Sequence, residues 1–198
     1  MDHRTELVRY YQLLRAHDLN DSHSGNASVR DGDSVWVTPT GACADTLGPD
    51  QLVRCTLRDG PDSLLKSGAS LDAPLHLAVY RANPAAQAVL HSHGPHAIAL
   101  TLDGEDLVPV DFEGAYYFAR VPVVEATPSS ADRATDYVAQ SPALVARALS
   151  QHPACIYRGH GVYAWGATLD QAYKWSSSVE AAARIAWLAR VAGVRPRR

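Results

Sequence analysis

The chain has 198 residues, enough for one domain with a substantial core. With 46% hydrophobic and 20% charged residues the composition is ordinary for a globular protein, and a net charge of −3 supplies no basic surface for nucleic acid. Three cysteines with no Cys-x-x-Cys spacing argue against a disulfide framework and fit a reducing cytoplasm; no run of 18 apolar residues predicts a membrane span, and no apolar stretch behind the charged N-terminus predicts a signal peptide.

In chain order, residues 4–17 predict an amphipathic helix with Leu7, Tyr10, Tyr11 and Leu14 on one face. The polar segment 21–26 follows, then strands over 27–30 and 34–37 about an Asp31-Gly32-Asp33 hairpin turn. A strand at 52–57 ends at the turn 58–61. The next helix begins near Leu71-Asp72-Ala73-Pro74, with an acid at the cap and proline in the first turn, and stops before Asn83-Pro84. Strands are predicted over 88–93, 107–109 and 121–124, and helices over 131–139 and 142–151. One strand over 155–165, interrupted by Gly159 and Gly161, precedes a final helix. That helix opens on the capping box Thr168-Leu169-Asp170-Gln171 and ends near residue 192. Helices before, between and after many short strands predict an α/β fold, three layers α/β/α around a mainly antiparallel sheet. The whole of 1–198 reads as one domain, with a solvated, disordered tail over 193–198.

His91-Ser92-His93 closes the apolar run Ala88-Val89-Leu90, and residues i and i+2 of a strand point to one face. Both imidazoles can therefore reach one metal ion. His160, between Gly159 and Gly161, can complete a three-histidine site with an open position, or can be a turn residue only. Asp72 can cap its helix, or face the metal as a fourth ligand or general base. Ser24-Gly25-Asn26 and Thr38-Pro39-Thr40-Gly41 offer hydroxyls, an amide and turn N–H groups suited to an anion, or plain turn chemistry.

Five ordered elements resemble the class II aldolase/adducin family over nearly the whole chain. They are Gly25-Asn26-Ala27-Ser28-Val29-Arg30, Thr38-Pro39-Thr40-Gly41, Asp72 through Tyr80, Val89 through His93, and Gly159-His160-Gly161 with the long final helix. The resemblance implies a divalent metal, usually zinc, on His91, His93 and His160; the same ligand set also accepts Mn²⁺, Co²⁺ or Fe²⁺. It implies an acidic residue at Asp72, a glutamate acting as acid/base in some members and an aspartate close to the metal in others, and a substrate-phosphate pocket that maps to Gly25, Asn26, Thr40, Gly41 and Ser70. It also implies a homotetramer with sites at subunit interfaces, where Glu113, Tyr116 and Tyr117 can act in a neighbour's site.

Two departures weaken a phosphorylated substrate: the family's Ser-Ser pair is Ser70-Leu71 here, and His23 replaces a threonine. The chain ends at Arg198 without the family's tyrosine-bearing extension, which disfavours epimerisation. The expected activity is a metal-dependent carbon–carbon lyase, an aldolase or decarboxylase of a small hydroxy-carbonyl or sugar-like compound, working through a metal-stabilised enediolate. Asp72, Glu113 and Tyr117 are its expected catalytic groups. The alternatives are a sugar-phosphate epimerase or dehydratase, a non-haem iron oxygenase, or a non-catalytic adducin-like module; the last keeps the fold without the histidines.

Overall fold

The structure is a computed structural model describing residues 2–195. Its strands are β1 (Asn26–Asp31), β2 (Ser34–Val37), β3 (Val53–Thr56), β4 (Ala88–Ser92), β5 (Val123–Val124), β6 (Ala154–Tyr157) and β7 (Gly161–Gly166). Its helices are α1 (His3–Ala16), α2 (Pro61–Ser67), α3 (Ala73–Ala82), α4 (Pro95–Leu100), α5 (Phe112–Tyr117), α6 (Arg133–Leu149) and α7 (Leu169–Val191). The strands form one sheet in the order β3-β2-β1-β4-β7-β6-β5, antiparallel at every step except β5–β6.

Period-two alternation sorts the core onto both sides of this sheet. Val89 of β4 and Tyr163 of β7 face α3 and α6, where Leu75, Leu77, Val145 and Leu149 meet them. Ala88 and Leu90 face the other way, against Leu7, Tyr11 and Leu14 of α1 and Ala172 of α7. Val162 and Ala164 of β7 pack on that second side with Ala97 of α4 and Val179 and Ala183 of α7. Each buried leucine contributes roughly 2 kcal/mol of apolar burial. The expected three-layer α/β/α architecture with a mainly antiparallel sheet is the one observed. No helix among the described residues is long and apolar enough to cross a membrane.

Several local expectations need correction. The helices expected at 131–139 and 142–151 are the single helix α6, which runs through Pro142. Proline removes one hydrogen bond, but Ser141, Val145, Ala146 and Leu149 stay on a buried stripe, and packing against α3 and the sheet outweighs the lost rung. The interrupted strand at 155–165 is two antiparallel strands, β6 and β7, joined by the tight turn 158–160. Leu107 makes only an isolated bridge to Val121, and β5 keeps two residues of the expected 121–124. Helices α2, α4 and α5 were not expected. Of the expected tail, Gly193 closes the last turn with a φ of 69°, and residues 196–198 lie outside the described residues.

A polar cluster is sealed between sheet and α3. Ser28 Oγ lies 2.7 Å from His76 Nδ1 and 2.7 Å from the Tyr80 hydroxyl. Burial lowers the His76 pKa to about 4, against a partial upward pull from Asp72. The folded state thus resists a proton that the unfolded chain accepts below about pH 6.5. Stability from this group is present above that pH and is lost as the pH falls toward 4. We expect His76 to account for about 2 kcal/mol of lost stability between pH 7 and 5. Urea unfolding at both pH values should show a shallower pH dependence for His76→Gln than for wild type; equal dependence would contradict the assignment.

Candidate metal centre

The pleat places the site. His91 shares the face of Val89, and the antiparallel registers set it beside Asn26 of β1 and Tyr163 of β7. His93 lies just beyond the end of β4, held by its backbone N–H, which donates to the Leu19 carbonyl and to Asn20 Oδ1. His160 belongs to the β6–β7 turn, and its ring lies against the other two, 4.6 Å from that of His91 and 4.9 Å from that of His93. The candidate ligand atoms of the three histidines lie within 4.8 Å of one another.

Two glycines make this convergence possible. Gly25 has a φ of +68°, and a Cβ there would sit 2.5 Å from the His91 carbonyl oxygen. A Cβ on Gly161 would lie 2.2 Å from the Ser92 carbonyl oxygen and 3.0 Å from both the His91 and His93 rings. A side chain at Gly161 would crowd the two imidazoles, and one at Gly25 would collide with the His91 backbone and the Asn20 side chain.

The donor set fits a divalent cation. His91 Nδ1 donates to the Val162 carbonyl at 3.0 Å, which leaves Nε2 with a free lone pair. The Tyr163 ring stacks on His91 with centroids 4.0 Å apart and fixes its plane. His93 Nε2 lies 2.8 Å from that His91 Nε2. His160 Nδ1 is buried without a hydrogen-bond partner. Burial lowers the pKa of all three rings, that of His93 to about 4, so they are neutral at pH 7 as ligands must be. Sulfur ligands are absent from the cluster, and nitrogen donors with an adjacent carboxylate suit zinc and its neighbours in the first transition row.

Asp72 sits at the N-cap of α3, yet its side chain makes no capping bond. The carboxylate turns inward instead. Oδ1 accepts from the Tyr137 hydroxyl at 2.6 Å, and Oδ2 accepts from the Tyr163 hydroxyl and from Asn26 Nδ2, each at 2.9 Å. Oδ2 is 3.9 Å from His91 Nε2. Burial pushes this carboxyl up, but the His91 ring and the Tyr137 and Asn26 donors outweigh it and bring its pKa to about 2. Burial first, and then the charge of Asp72, raise the Tyr137 and Tyr163 phenols, so both stay protonated. One anion beside three neutral imidazoles leaves a net charge of −1 for a divalent cation to meet.

This cluster opens into a pocket of 710 Å³, ample for a small metabolite. On the β1 side lie Gly25, Asn26, Thr40, Gly41 and Ser70, all five residues the sequence assigns to substrate. Asn26 has its amide N–H committed to Asp72, and Ser70 Oγ accepts from the Asp72 N–H at 3.3 Å. On the β6 side lie Gly159 of the Gly-His-Gly element and Arg133, Tyr137 and Arg158, which no motif singled out. An amphipathic helix gives its tyrosines a core reading, and only the β4–β7 register brings Tyr163 to His91 and Asp72. Glu113, Tyr116 and Tyr117 do not line the pocket of their own chain. They lie on α5, where the Tyr117 hydroxyl donates to Glu113 and its ring packs on Trp175 of α7.

The profile of the Class II Aldolase and Adducin N-terminal domain matches residues 5–187. Methylthioribulose-1-phosphate dehydratase of Xenopus tropicalis is 29% identical over 171 residues, covering 75% of this chain and 68% of the relative. L-ribulose-5-phosphate 4-epimerase of Salmonella paratyphi B is 28% identical over 180 residues, covering 87% and 77%. The crystal structure of L-fuculose-1-phosphate aldolase from Thermus thermophilus superposes with a TM-score of 0.82 at 30% identity, covering 100% of both chains. With the profile spanning nearly its full length, this chain belongs to the class II aldolase/adducin family.

Proposed function

We propose that the chain is a metal-dependent carbon–carbon lyase, an aldolase or decarboxylase, acting on a small hydroxy-carbonyl or sugar-like compound. The observation that carries this reading is the three neutral imidazoles converging beside one buried carboxylate at the wall of an open pocket. His91, His93 and His160 would hold a divalent cation, zinc or else Mn²⁺, Co²⁺ or Fe²⁺, which supplies Lewis acidity for an enediolate. Asp72 is the proton-handling group, and the Tyr137 hydroxyl that donates to it lines the same pocket. Gly25, Thr40, Gly41 and Ser70 orient the substrate from the β1 side.

A homotetramer belongs to the same proposal, with Glu113 and Tyr117 acting in a neighbour's site. Phe112 and Tyr116 on α5, 87% and 77% exposed, support assembly through that surface. A sugar-phosphate dehydratase or epimerase is the second reading, favoured by the names of the relatives at 28–29% identity.

The test is elemental analysis of the reconstituted protein with a cleavage screen over free and phosphorylated ketoses, aldols and β-hydroxy or keto acids. About one divalent ion per chain and metal-dependent cleavage of one substrate class are expected. A protein that retains no metal would return it to the adducin-like, non-catalytic class.

A further inference from the structure

Besides the histidine cluster the pocket contains two guanidiniums, and they differ. Arg158 is ion-paired: Nε donates to the Leu102 carbonyl at 2.7 Å, and Nη1 donates to the Glu125 carboxylate at 2.8 Å. Arg133, the first residue of α6, makes one hydrogen bond among the described residues, from Nη2 to the Arg158 carbonyl at 3.3 Å. No carboxylate lies within ion-pair distance of it among those residues. The adjacent acid, Asp132, is occupied as the cap of α6, accepting from the N–H groups of Ala134 and Thr135 and from the Thr135 hydroxyl.

Arg133 is exposed at the mouth of the pocket. Its Nη2 lies 3.4 Å from where a Cβ would stand on Gly159, which places the guanidinium against the β6–β7 turn that carries His160. The β1 side of the pocket has no lysine or arginine, and Leu71, 58% exposed, occupies the place next to Ser70. The pocket therefore has, among the described residues, one guanidinium without an ion-pair partner, next to the turn that carries His160. With Nη2 anchored, the Nε and Nη1 groups remain free. A planar guanidinium with such an open edge matches the two oxygens of a carboxylate. Phosphate would fit the same edge, but Leu71 beside Ser70 and His23 in place of a threonine already weaken a phosphorylated substrate, which leaves a carboxylate as the anion.

We infer that Arg133 binds a carboxylate of the substrate, at the part of the molecule beyond the oxygens that meet the histidine cluster. This rests on the lyase reading and narrows it. The substrate is a hydroxy-carbonyl compound with a carboxylate at its far end, rather than a neutral sugar.

Lactate and malate test it, because they share an α-hydroxycarboxylate and only malate has a second carboxylate. Calorimetric titration of the zinc-reconstituted protein should show malate binding at least about tenfold more tightly than lactate. In Arg133→Gln the two affinities should converge, with lactate binding and zinc content unchanged. Zinc retained with no malate preference in the wild type, or a preference that survives in Arg133→Gln, overturns this inference alone. A wild type that holds no zinc overturns the lyase reading and this inference with it.

Discussion

His93→Ala is expected to empty the metal centre while leaving the fold intact. His93 is the partly exposed member of the cluster, and it lies beyond the end of β4 rather than in the ladder. Its side chain can be removed without opening the core, unlike that of His91, which is 1% exposed and stacked on Tyr163. Two imidazoles hold a divalent ion far less tightly than three. Elemental analysis should therefore show metal near one equivalent in wild type and well below it in the variant, with turnover reduced roughly 10³-fold or more. An unchanged far-ultraviolet spectrum and melting of the two metal-free proteins within a few degrees would confirm that loss of the ligand is responsible. A variant that keeps its metal and its activity would remove His93 from the centre.

Asp72→Asn should separate proton handling from metal binding. The amide keeps the size of the carboxylate and can still accept from Tyr137, but it cannot take up a proton. Metal content should stay near wild type while kcat falls about 10²- to 10⁴-fold, the usual range for a lost general acid/base. Asp72→Ala is the harsher change. It strands the Tyr137 and Tyr163 hydroxyls and the Asn26 amide in a buried place. That should cost stability on the order of 2–3 kcal/mol, measurable by urea unfolding. If Asp72→Asn retains turnover within tenfold of wild type, the proton passes through another group.

Much of this was legible in the chain. The face formed by Leu7, Tyr11 and Leu14, the Asp31-Gly32-Asp33 hairpin, the start of α3 and the capping of α7 all follow from periodicity and end signals. Thr168 does accept from the Gln171 N–H, although the Gln171 side chain reaches back to the Ala167 N–H rather than to the cap. The short helices α2 and α4 were missed, although Gly60-Pro61 and Gly94-Pro95 place a proline at the first helical position of each. One or two turns are too few for an apolar period to emerge. Pro142 misled in the other direction, because a local break was overridden by a buried stripe on both sides of it.

At the site, the three histidines and Asp72 were visible as residue types at suggestive positions. The role of Asp72 was not, since a capping acid and a buried acid have the same sequence signature. Tyr137, Tyr163 and Arg133 were invisible because their meaning comes from strand register and from a turn that brings distant segments together. No property of residue 163 alone announces that it will lie against residue 91.

The order of strands has a consequence for how the protein is made. β4 is flanked by β1, from the start of the chain, and by β7, from near its end. The contacts that assemble the centre are therefore of long sequence separation, and they form slowly because large loops must close before any pairing rewards them. On a ribosome, His91 and His93 emerge long before His160 and Tyr163 do. The centre is complete only when the hairpin of β6 and β7 has docked on β4, so uptake of metal should coincide with one of the last events of folding.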